Sequence, residues 1–240
     1  MRLSTISWIL GLLVLTGLAA SAQSGEPIPH YCMGCNFAGS PLAGRDFSGD
    51  VLVGANFEGA QLSAATFRGT KIVASNFSGA DLRGVSFDAA ECTACNFQDA
   101  KLDGATFAGV RMVAANFGGY AAATTDAALR DLIGGCTACN FQGASLAGRD
   151  LRGISMIGVD LARADLRNTR FDGSVLCWYV VDGTQRGTKC VGLKDARVNG
   201  ASFLGVRRCR DPSDGATCTP VTAAALQRDS GSPLSGAVLP

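Results

Sequence analysis

The chain of 240 residues contains a single histidine, His30. Ser-His-Asp and Cys-His catalytic arrangements would depend on this one residue near the start of the chain. No glycine-rich loop leads into a helix in the way that a phosphate-binding loop requires. Carboxylates such as Asp81 and Asp88 recur at positions expected to face solvent, but no catalytic set forms around them. We therefore expect a protein that is not an enzyme and that has no cofactor.

The sequence also lacks an excess of charge of either sign. Its 21 Lys and Arg residues balance 20 Asp and Glu residues, and the loss of Arg2 with a signal peptide would make the balance even. A protein of this kind has no electrostatic reason to bind nucleic acid or anionic lipid. We expect no nucleic-acid partner.

Long hydrophobic runs are absent apart from one, Ile6 to Ala20, which is too short to cross a bilayer comfortably. It follows Met1-Arg2 and ends at Ala20-Ser21-Ala22, which fits a signal-peptidase cleavage site. Residues 1–22 are predicted to be a signal peptide, with an N-terminal membrane anchor as the alternative. The mature protein would be periplasmic or secreted, with no membrane span. Because that environment is oxidising, its ten cysteines are expected to form disulfides.

Glycine, in contrast, is abundant, with 31 residues, and the sequence has a period of five. From Phe37 to Phe117 every fifth residue is apolar, and every second one of these is Phe. A small residue usually lies two positions before the apolar one, and Gly often lies two positions after it. This period fits neither a helix nor a flat strand. It indicates a chain that turns every five residues and buries its apolar side chains by stacking.

Segments such as ANFEGAQLSAATFRG (55–69) and NFSGADLRGVSF (76–87) resemble the pentapeptide-repeat family. The resemblance extends over residues 32–117, 136–176 and 191–205. It implies an all-β fold, a right-handed quadrilateral parallel β-helix with four pentapeptides in each coil. Consecutive coils would lie about 4.8 Å apart, the spacing of paired strands.

Interruptions of the period define the expected organisation of the chain. The helical segment should be capped by Thr125 or Asp126, since Ser, Thr, Asp and Asn are preferred at that position. CWYVVDGTQRGTKC has a strand-like run and an Asp-Gly turn, which is typical of a hairpin. The predicted segments are a linker or N-terminal cap (23–31), a first array (32–117), a helical insertion (118–135), a second array (136–176), a disulfide-bounded hairpin (177–190), final repeats (191–205), a C-terminal disulfide loop or cap (206–218) and a disordered tail (219–240).

Three CxxC motifs begin at Cys32, Cys92 and Cys136, and each is followed by Asn. Haem attachment would need a His after the motif, and a thioredoxin-like site would need a βαβ unit. Cys32 and Cys92 are three coils apart, about 14 Å at the spacing of paired strands, which is too far for one zinc site. We expect no metal.

In the register of the repeat, both cysteines of each motif face inward at one corner. We expect the disulfides Cys32–Cys35, Cys92–Cys95 and Cys136–Cys139, with buried reduced thiols as the alternative. The hairpin and the C-terminal loop would be closed by Cys177–Cys190 and Cys209–Cys218.

The frame CxxCNFxGxxLAGRD occurs at Cys32 and again at Cys136, and it places Arg45 and Arg149 at positions expected to be small and inward. A buried arginine needs a partner. Asp50 could serve Arg45, whereas Ile154 stands at the equivalent position after Arg149. Whether these arginines reach solvent or bind something is left open.

These features favour an exported, non-catalytic scaffold or protein-interaction module. Trp178 and Tyr179 in the hairpin are the candidate contact residues, because aromatic side chains are enriched in binding hot spots. The partner would be another protein or a component of the cell envelope, and the oligomeric state is open. One alternative is DNA mimicry directed at gyrase, known for some cytoplasmic family members, which would need a dense negative surface. The other is redox or metal chemistry at the CxxC motifs.

Overall fold

The structure is a computed structural model, and it describes residues 30–121, 123–182, 185–210 and 217–240. The predicted signal peptide and almost all of the predicted linker lie outside these residues. The elements are β1 (Tyr31–Met33), β2 (Val51–Val53), β3 (Lys71–Val73), β4 (Glu91–Thr93), β5 (Arg111–Val113), α1 (Asp126–Gly134), β6 (Cys136–Thr137), β7 (Val175–Asp182), β8 (Gln185–Cys190), β9 (Arg207–Cys209), β10 (Cys218–Pro220) and α2 (Ala223–Ser230).

The chain winds into a parallel solenoid with four sides, which confirms the predicted parallel β-helix. Strands β1 to β6 stack in sequence order and form one side, which we call face 1. Further parallel bridges recur between positions 20 residues apart on the other three sides. Face 2 begins with the pair Asn36 and Asn56, face 3 with Pro41 and Gln61, and face 4 with Asp46 and Thr66.

Each corner between faces is made by a residue in the left-handed backbone region. Gly59 has φ 61° there, and Ala64 holds nearly the same angle, φ 58°, although alanine lacks the freedom of glycine. The turn aims backbone donors at the next coil: the N–H groups of Phe57 and Gly59 donate to the carbonyl groups of Asn76 (2.7 Å) and Ser78 (2.9 Å). The coils are therefore held together by backbone hydrogen bonds on every side.

The core consists of the residues at the centre of each pentapeptide. The phenylalanines form two stacks along the solenoid axis, and they are fully or almost fully buried. Phe57 stacks on Phe77 with ring centroids 4.8 Å apart, and Phe67 stacks on Phe87 at 5.1 Å. The two stacks meet edge to face, as Phe57 does with Phe67 at 5.9 Å. Such offset and T-shaped arrangements are the ones that aromatic rings prefer.

Helix α1 lies within the wall of the solenoid and replaces two pentapeptides of the fifth coil. Asn116 and Asn140 are paired although they are 24 residues apart, rather than the usual 20. Thr125 caps the helix by accepting a hydrogen bond from the N–H of Ala128 (3.1 Å). The apolar residues Leu129, Leu132 and Ile133 are buried, so the helix continues the core that the pentapeptides would otherwise form.

A hairpin leaves the coil near the C-terminal end. Asp160 and Gly192 are paired although they are 32 residues apart, because β7 and β8 are inserted between them. The two strands pair antiparallel from Cys177 and Cys190 at the base to Asp182 and Gln185. β7 also pairs parallel to β9, and β9 pairs antiparallel to β10, which gives a four-stranded sheet in the order β10-β9-β7-β8.

The prediction of a disordered tail is wrong for the C-terminal residues. Thr222 caps α2, Leu226 and Leu234 are buried, and the N–H of Val238 donates to the carbonyl of Ala201 (2.8 Å). The last coil exposes an apolar cross-section, and this segment covers it. The cap is therefore formed by α2 and the residues after it, rather than by the 206–218 loop alone. A weak repeat signal was present: Leu234 and Leu239 are five residues apart, with Gly236 between them.

At the opposite end, Pro41 lies at a position whose N–H would point away from the solenoid. In later coils the equivalent N–H groups donate to the preceding coil, as Gln61 does to the carbonyl of Ser40 (2.9 Å). Pro41 opens face 3 of the first described coil and has no N–H to leave unpaired. Proline is one of the devices by which proteins block an exposed strand edge.

The junction between α1 and β6 should be highly sensitive to substitution. A Cβ at Gly135 would overlap the carbonyl oxygen of Val110, whereas a Cβ at Gly134 would meet nothing within 4 Å. We expect Gly135→Ala to reduce the free energy of unfolding by about 1–3 kcal/mol, as overpacked sites do. Gly134→Ala is the matched control and should be neutral or slightly stabilising, because alanine favours the helix. Urea unfolding of both variants measures the difference, and equal effects would contradict the close approach.

Candidate functional site

The CxxC motifs lie at the corner between faces 1 and 2. The first cysteine of each motif lies on a face 1 strand, at the centre of β1 or β4 or at the start of β6, and the second precedes the Asn that opens face 2. Cys32 and Cys35 are disulfide-bonded with their Cα atoms 5.8 Å apart, and Cys92 and Cys95 are bonded at 6.1 Å. These distances are ordinary for a disulfide. Two local disulfides therefore close corners of the coil, as expected.

The third motif differs, because Cys136 and Cys139 are buried free thiols. The predicted Cys136–Cys139 disulfide is wrong for this structure. CTACNF is identical at Cys92 and Cys136, so the difference must come from the surroundings. β4 enters its corner from a regular coil, whereas β6 starts directly after Gly135, the helical C-cap of α1.

The thiols of Cys136 and Cys139 are hydrogen-bonded to each other. Burial raises the pKa of Cys136 well above its usual value, and the hydrogen bond from Cys136 lowers the pKa of Cys139. The sulfur of Cys139 also lies 3.8 Å from the carbonyl oxygens of Met112 and Thr137. Reactive thiols are partly exposed to solvent. Because both of these thiols are buried, a redox partner would have no direct access to them.

The two remaining disulfides fix the sheet at the C-terminal end. Cys177 and Cys190 are bonded across β7 and β8, and Cys209 and Cys218 are bonded across β9 and β10. The base of the hairpin is thus held both by a covalent bond and by strand pairing. Among the described residues, no group of three or more His, Cys, Asp or Glu side chains is placed to hold a metal ion. The same residues include no helix long and apolar enough to cross a membrane.

The two arginines of the CxxCNFxGxxLAGRD frame, Arg45 and Arg149, differ in their surroundings. Arg149 donates to the carbonyl of Thr124 (2.9 Å) and to the carboxylate of Asp126 (3.1 Å), so it ties the start of α1 to the next coil. Arg45 is half-buried at its corner. Asp50, its suggested partner, is buried and lies 2.8 Å from Nδ1 of His30. The pairing of Arg45 with Asp50 stays a prediction.

The outer surface of face 2 is a ladder of asparagine amides. Each side-chain amide donates to the asparagine oxygen of the preceding coil, at distances from 2.9 to 3.4 Å, and the last described step joins Asn140 to Asn116. Each asparagine oxygen also accepts from the N–H two residues later, as that of Asn76 does from Ser78 (3.1 Å). The amides are therefore largely occupied within the chain.

Faces 3 and 4 carry arginines paired with aspartates two residues away. Arg83 contacts Asp81 at 2.6 Å, and Arg152 contacts Asp150 at 2.5 Å. Hydrogen bonds from Arg152 lower the pKa of Asp150 to about 2. Hydrogen bonds from Arg167 likewise lower the pKa of Asp165 to about 2, with a further contribution from the charge of Arg197. Charge on these two faces is thus largely neutralised locally.

The hairpin residues predicted to form a contact surface lie on β7, immediately after Cys177. Trp178 is half-buried and is paired in register with Lys189 and with Cys209. The strand also includes Tyr179, paired with Thr188, but its side chain lies outside the described residues. Both residues therefore lie in the β7–β8 hairpin, and only the side chain of Trp178 is among the described ones.

Comparison with known proteins identifies the family of the chain. Residues 46–117 match the family model described as a pentapeptide repeat region, and residues 139–176 match that of pentapeptide repeats in eight copies. A pentapeptide repeat protein from the thylakoid lumen of Arabidopsis thaliana is 34% identical, over 39% of this chain and 73% of its own, with a TM-score of 0.33. The chain belongs to the pentapeptide-repeat family.

Other solved family members are more distant from this pentapeptide-repeat chain. QnrB1, a plasmid-mediated fluoroquinolone resistance protein, is 19% identical over 70% of this chain and 82% of its own, with a TM-score of 0.37. Rfr23 from the cyanobacterium Cyanothece 51142 is 17% identical over 72% and 86%, with a TM-score of 0.13. Similarity at this level tells nothing about what the present chain binds. None of the curated proteins matches it.

The thiol content of the protein tests the corner assignment. We expect two cysteines, Cys136 and Cys139, to be alkylated when the chain is denatured without a reductant, because the structure holds the other eight in disulfides. The native protein should react slowly, since both thiols are buried. Mass spectrometry of labelled peptides identifies the sites. A chain without any free thiol would show that the third corner also closes.

Acid should weaken the ion pairs around Asp165. Its pKa in the folded chain, about 2, is below the usual 3.8, so its stabilising effect is present above pH 4 and is lost as the pH falls towards 2. We expect Asp165→Asn to reduce the acid-induced decrease in thermal stability by less than about 1 kcal/mol, because solvent screens the exposed arginines. Thermal unfolding between pH 5 and pH 2 measures this, with Asp99→Asn as the control. Parallel pH profiles for the wild type and Asp165→Asn would contradict the assignment.

Proposed function

We propose that the protein is an exported, non-catalytic scaffold that presents the β7–β8 hairpin to a protein or to a component of the cell envelope. The observation that carries this proposal is the hairpin itself, which interrupts the repeat and leaves the coil. After β8 the chain returns to the regular register at Gly192, which pairs with Asp160. The insertion is therefore not needed to continue the solenoid.

The solenoid interior favours a supporting role over a catalytic one. Its centre is filled by side chains such as Phe77 and Leu82, which are fully buried in successive faces. A packed interior of this kind gives rigidity and leaves recognition to the outer surface and the insertions. Because one fold can serve many functions, the argument for a contact role rests on the hairpin and not on the solenoid.

The hairpin is held in a way that suits binding. The Cys177–Cys190 disulfide closes its base, β9 pairs with the first half of β7, and α2 contacts β8. Fixing a binding element before contact reduces the entropy lost on association. The half-buried Trp178 adds a large aromatic side chain at this base, and tryptophan is among the residues enriched in hot spots.

The alternatives are less well supported. DNA mimicry needs a dense negative surface, whereas the aspartates of faces 3 and 4 are paired with arginines such as Arg83 and Arg167. A redox role needs accessible thiols, and those of Cys136 and Cys139 are buried. Export rests on the predicted signal peptide, and cell fractionation of the full-length protein tests it independently.

The contact residues can be tested by pull-down from an envelope fraction. We expect the double variant Trp178→Ala, Tyr179→Ala to lose at least ten-fold in retained partner, as hot-spot truncations do. Leu204→Ala is the matched control, because Leu204 is an exposed large apolar residue on the coil that follows the hairpin. Quantitative mass spectrometry of the eluates compares the two. Retention that is unchanged in the double variant would remove the hairpin as the contact surface.

A further inference from the structure

Face 1 differs from the other faces because one of the two outward columns of its strands is mostly apolar. The residue that follows the buried centre of each strand points outward and is in register from coil to coil. We call this column the apolar stripe, and it consists of Met33, Val53, Val73, Thr93, Val113, Thr137 and Ile157. Met33 is 61% exposed, Val73 40% and Val113 39%. Beside Met33, Tyr31 is 58% exposed.

The equivalent outward positions of the other faces are mostly polar, charged or occupied by the small residues Ala and Gly, with Leu204 as an exposed large apolar residue on face 4. On face 2 they include Glu58 and Gln98, and on faces 3 and 4 they include Arg83 and Arg152. An apolar column on one side only is therefore a property of face 1 and not of the repeat. Contiguous exposed apolar surface of this kind marks interaction sites in soluble proteins.

The CxxC motifs hold the edge of this surface in place. The two residues between the cysteines of each motif are an apolar-stripe residue and the corner residue after it, Thr93 and Ala94 in the second motif. The Cys32–Cys35 and Cys92–Cys95 disulfides thus close loops whose outer residues belong to the apolar stripe. A corner that must present a fixed surface benefits from such a brace, since a preorganised contact loses less entropy on binding.

Charges on face 1 lie in the column on the other side of the strand centres. Lys71, Glu91 and Arg111 are neighbours in this column on β3, β4 and β5. Arg111 contacts Glu91 at 3.4 Å, and both side chains are largely exposed. The middle of the face therefore presents positive, negative and positive groups in order, beside an apolar stripe.

We propose that face 1 is a self-association surface, on which a second copy of the chain packs face to face in the opposite direction. A two-fold axis parallel to the strands, midway between β3 and β4, superimposes all six strands of one sheet on the six of the other. The apolar stripes then lie opposite each other, with Val53 facing Val113. Lys71 of each copy lies opposite Glu91 of the other.

Charge favours this register over its neighbours. An axis through β3 would place Lys71 opposite Lys71, and an axis through β4 would place Glu91 opposite Glu91. Like charges brought together in this way oppose association. The axis midway between β3 and β4 therefore gives complete overlap of the six strands and also brings Lys71 opposite Glu91 at two places.

The size of the face indicates a weak dimer. Five strands of three residues and one of two cover about 29 Å by 10 Å, which is about 300 Å² on each copy and about 600 Å² in total, from the spacing and rise of strands. This is at the low end of specific interfaces, below the 1,200 Å² or so of total buried area typical of stable complexes. We expect a monomer–dimer equilibrium that shifts with concentration in the micromolar range or above. The inference rests on the proposed interaction role and names one partner for it.

Complementary charge reversal tests the register directly. Lys71→Glu and Glu91→Lys each create two like-charge contacts across the two-fold axis, and each variant alone should show a dissociation constant at least about ten-fold higher than the wild type. An equimolar mixture of the two variants should form a heterodimer at wild-type strength or better, because two negative groups on one copy then face two positive groups on the other. The double variant Lys71→Glu, Glu91→Lys should also recover dimerisation. Sedimentation equilibrium over a concentration series measures each mass.

The apolar contribution is tested by Val73→Glu, with Ser63→Glu as the control. Ser63 occupies the same position in its pentapeptide on face 3, beside Arg83. Only the face 1 variant should raise the dissociation constant, again by at least about ten-fold, since it places a charge in the apolar contact.

Two results would overturn the inference. One is a wild-type chain that stays monomeric up to about 1 mM, which would leave no meaningful affinity. The other is association of Lys71→Glu and Glu91→Lys that equals the wild type and gains nothing on mixing. Either result leaves the hairpin pull-down untouched, because that assay changes Trp178 and Tyr179 and reads retained partner. Unchanged retention of the partner by the Trp178→Ala, Tyr179→Ala variant, with dimerisation intact, would contradict only the proposed contact role of the hairpin.

Discussion

The closed four-sided cross-section is the constraint on which the rest of this protein depends. Each side admits one large and one small side chain inward, and the next coil must lie one strand spacing away so that backbone donors such as those of Phe57 and Gly59 meet their acceptors. The interior has no freedom left for function once these conditions are met. Variation is confined to outward side chains and to segments that leave the coil. Both kinds of variation occur here, in face 1 and in the β7–β8 hairpin.

The two interruptions of the repeat solve different problems. Helix α1 takes over the buried positions of two pentapeptides, so the core passes through the fifth coil without a gap, and Arg149 secures its start to the coil that follows. The hairpin is inserted between the paired residues Asp160 and Gly192, and its strands join a second sheet with β9 and β10. The corner disulfides Cys32–Cys35 and Cys92–Cys95 are also better explained by the outer surface than by the core. A corner is already held by the coils above and below it, so a covalent brace matters most where the outer surface has to keep its shape.

The period from Phe37 to Phe117 predicted a chain that turns every five residues and buries its apolar side chains by stacking, and the resemblance to the pentapeptide-repeat family then implied the four-sided parallel β-helix. The hairpin was visible in its strand-like run and in the Cys177 and Cys190 spacing. The C-terminal cap was missed because helix α2 separates Leu234 and Leu239 from the earlier repeats, and two pentapeptides alone do not establish a period. The reduced state of Cys136 and Cys139 was only an alternative in the sequence, since the motif equals that of the bonded pair Cys92–Cys95, and what distinguishes the two corners is that β6 follows a helix.

The proline that opens face 3 has a consequence for how copies of this protein can assemble. The last coil of the solenoid is covered by α2 and the residues after it, so an end-to-end stack of copies would have to add to the edge of the first described coil. Pro41 has no N–H group to donate at that edge, so an added coil would lack one backbone hydrogen bond on face 3. Pro41 therefore disfavours the end-to-end stacking of solenoids. Contact through face 1, as proposed above, would instead close on itself after two copies and give a finite assembly rather than a fibre.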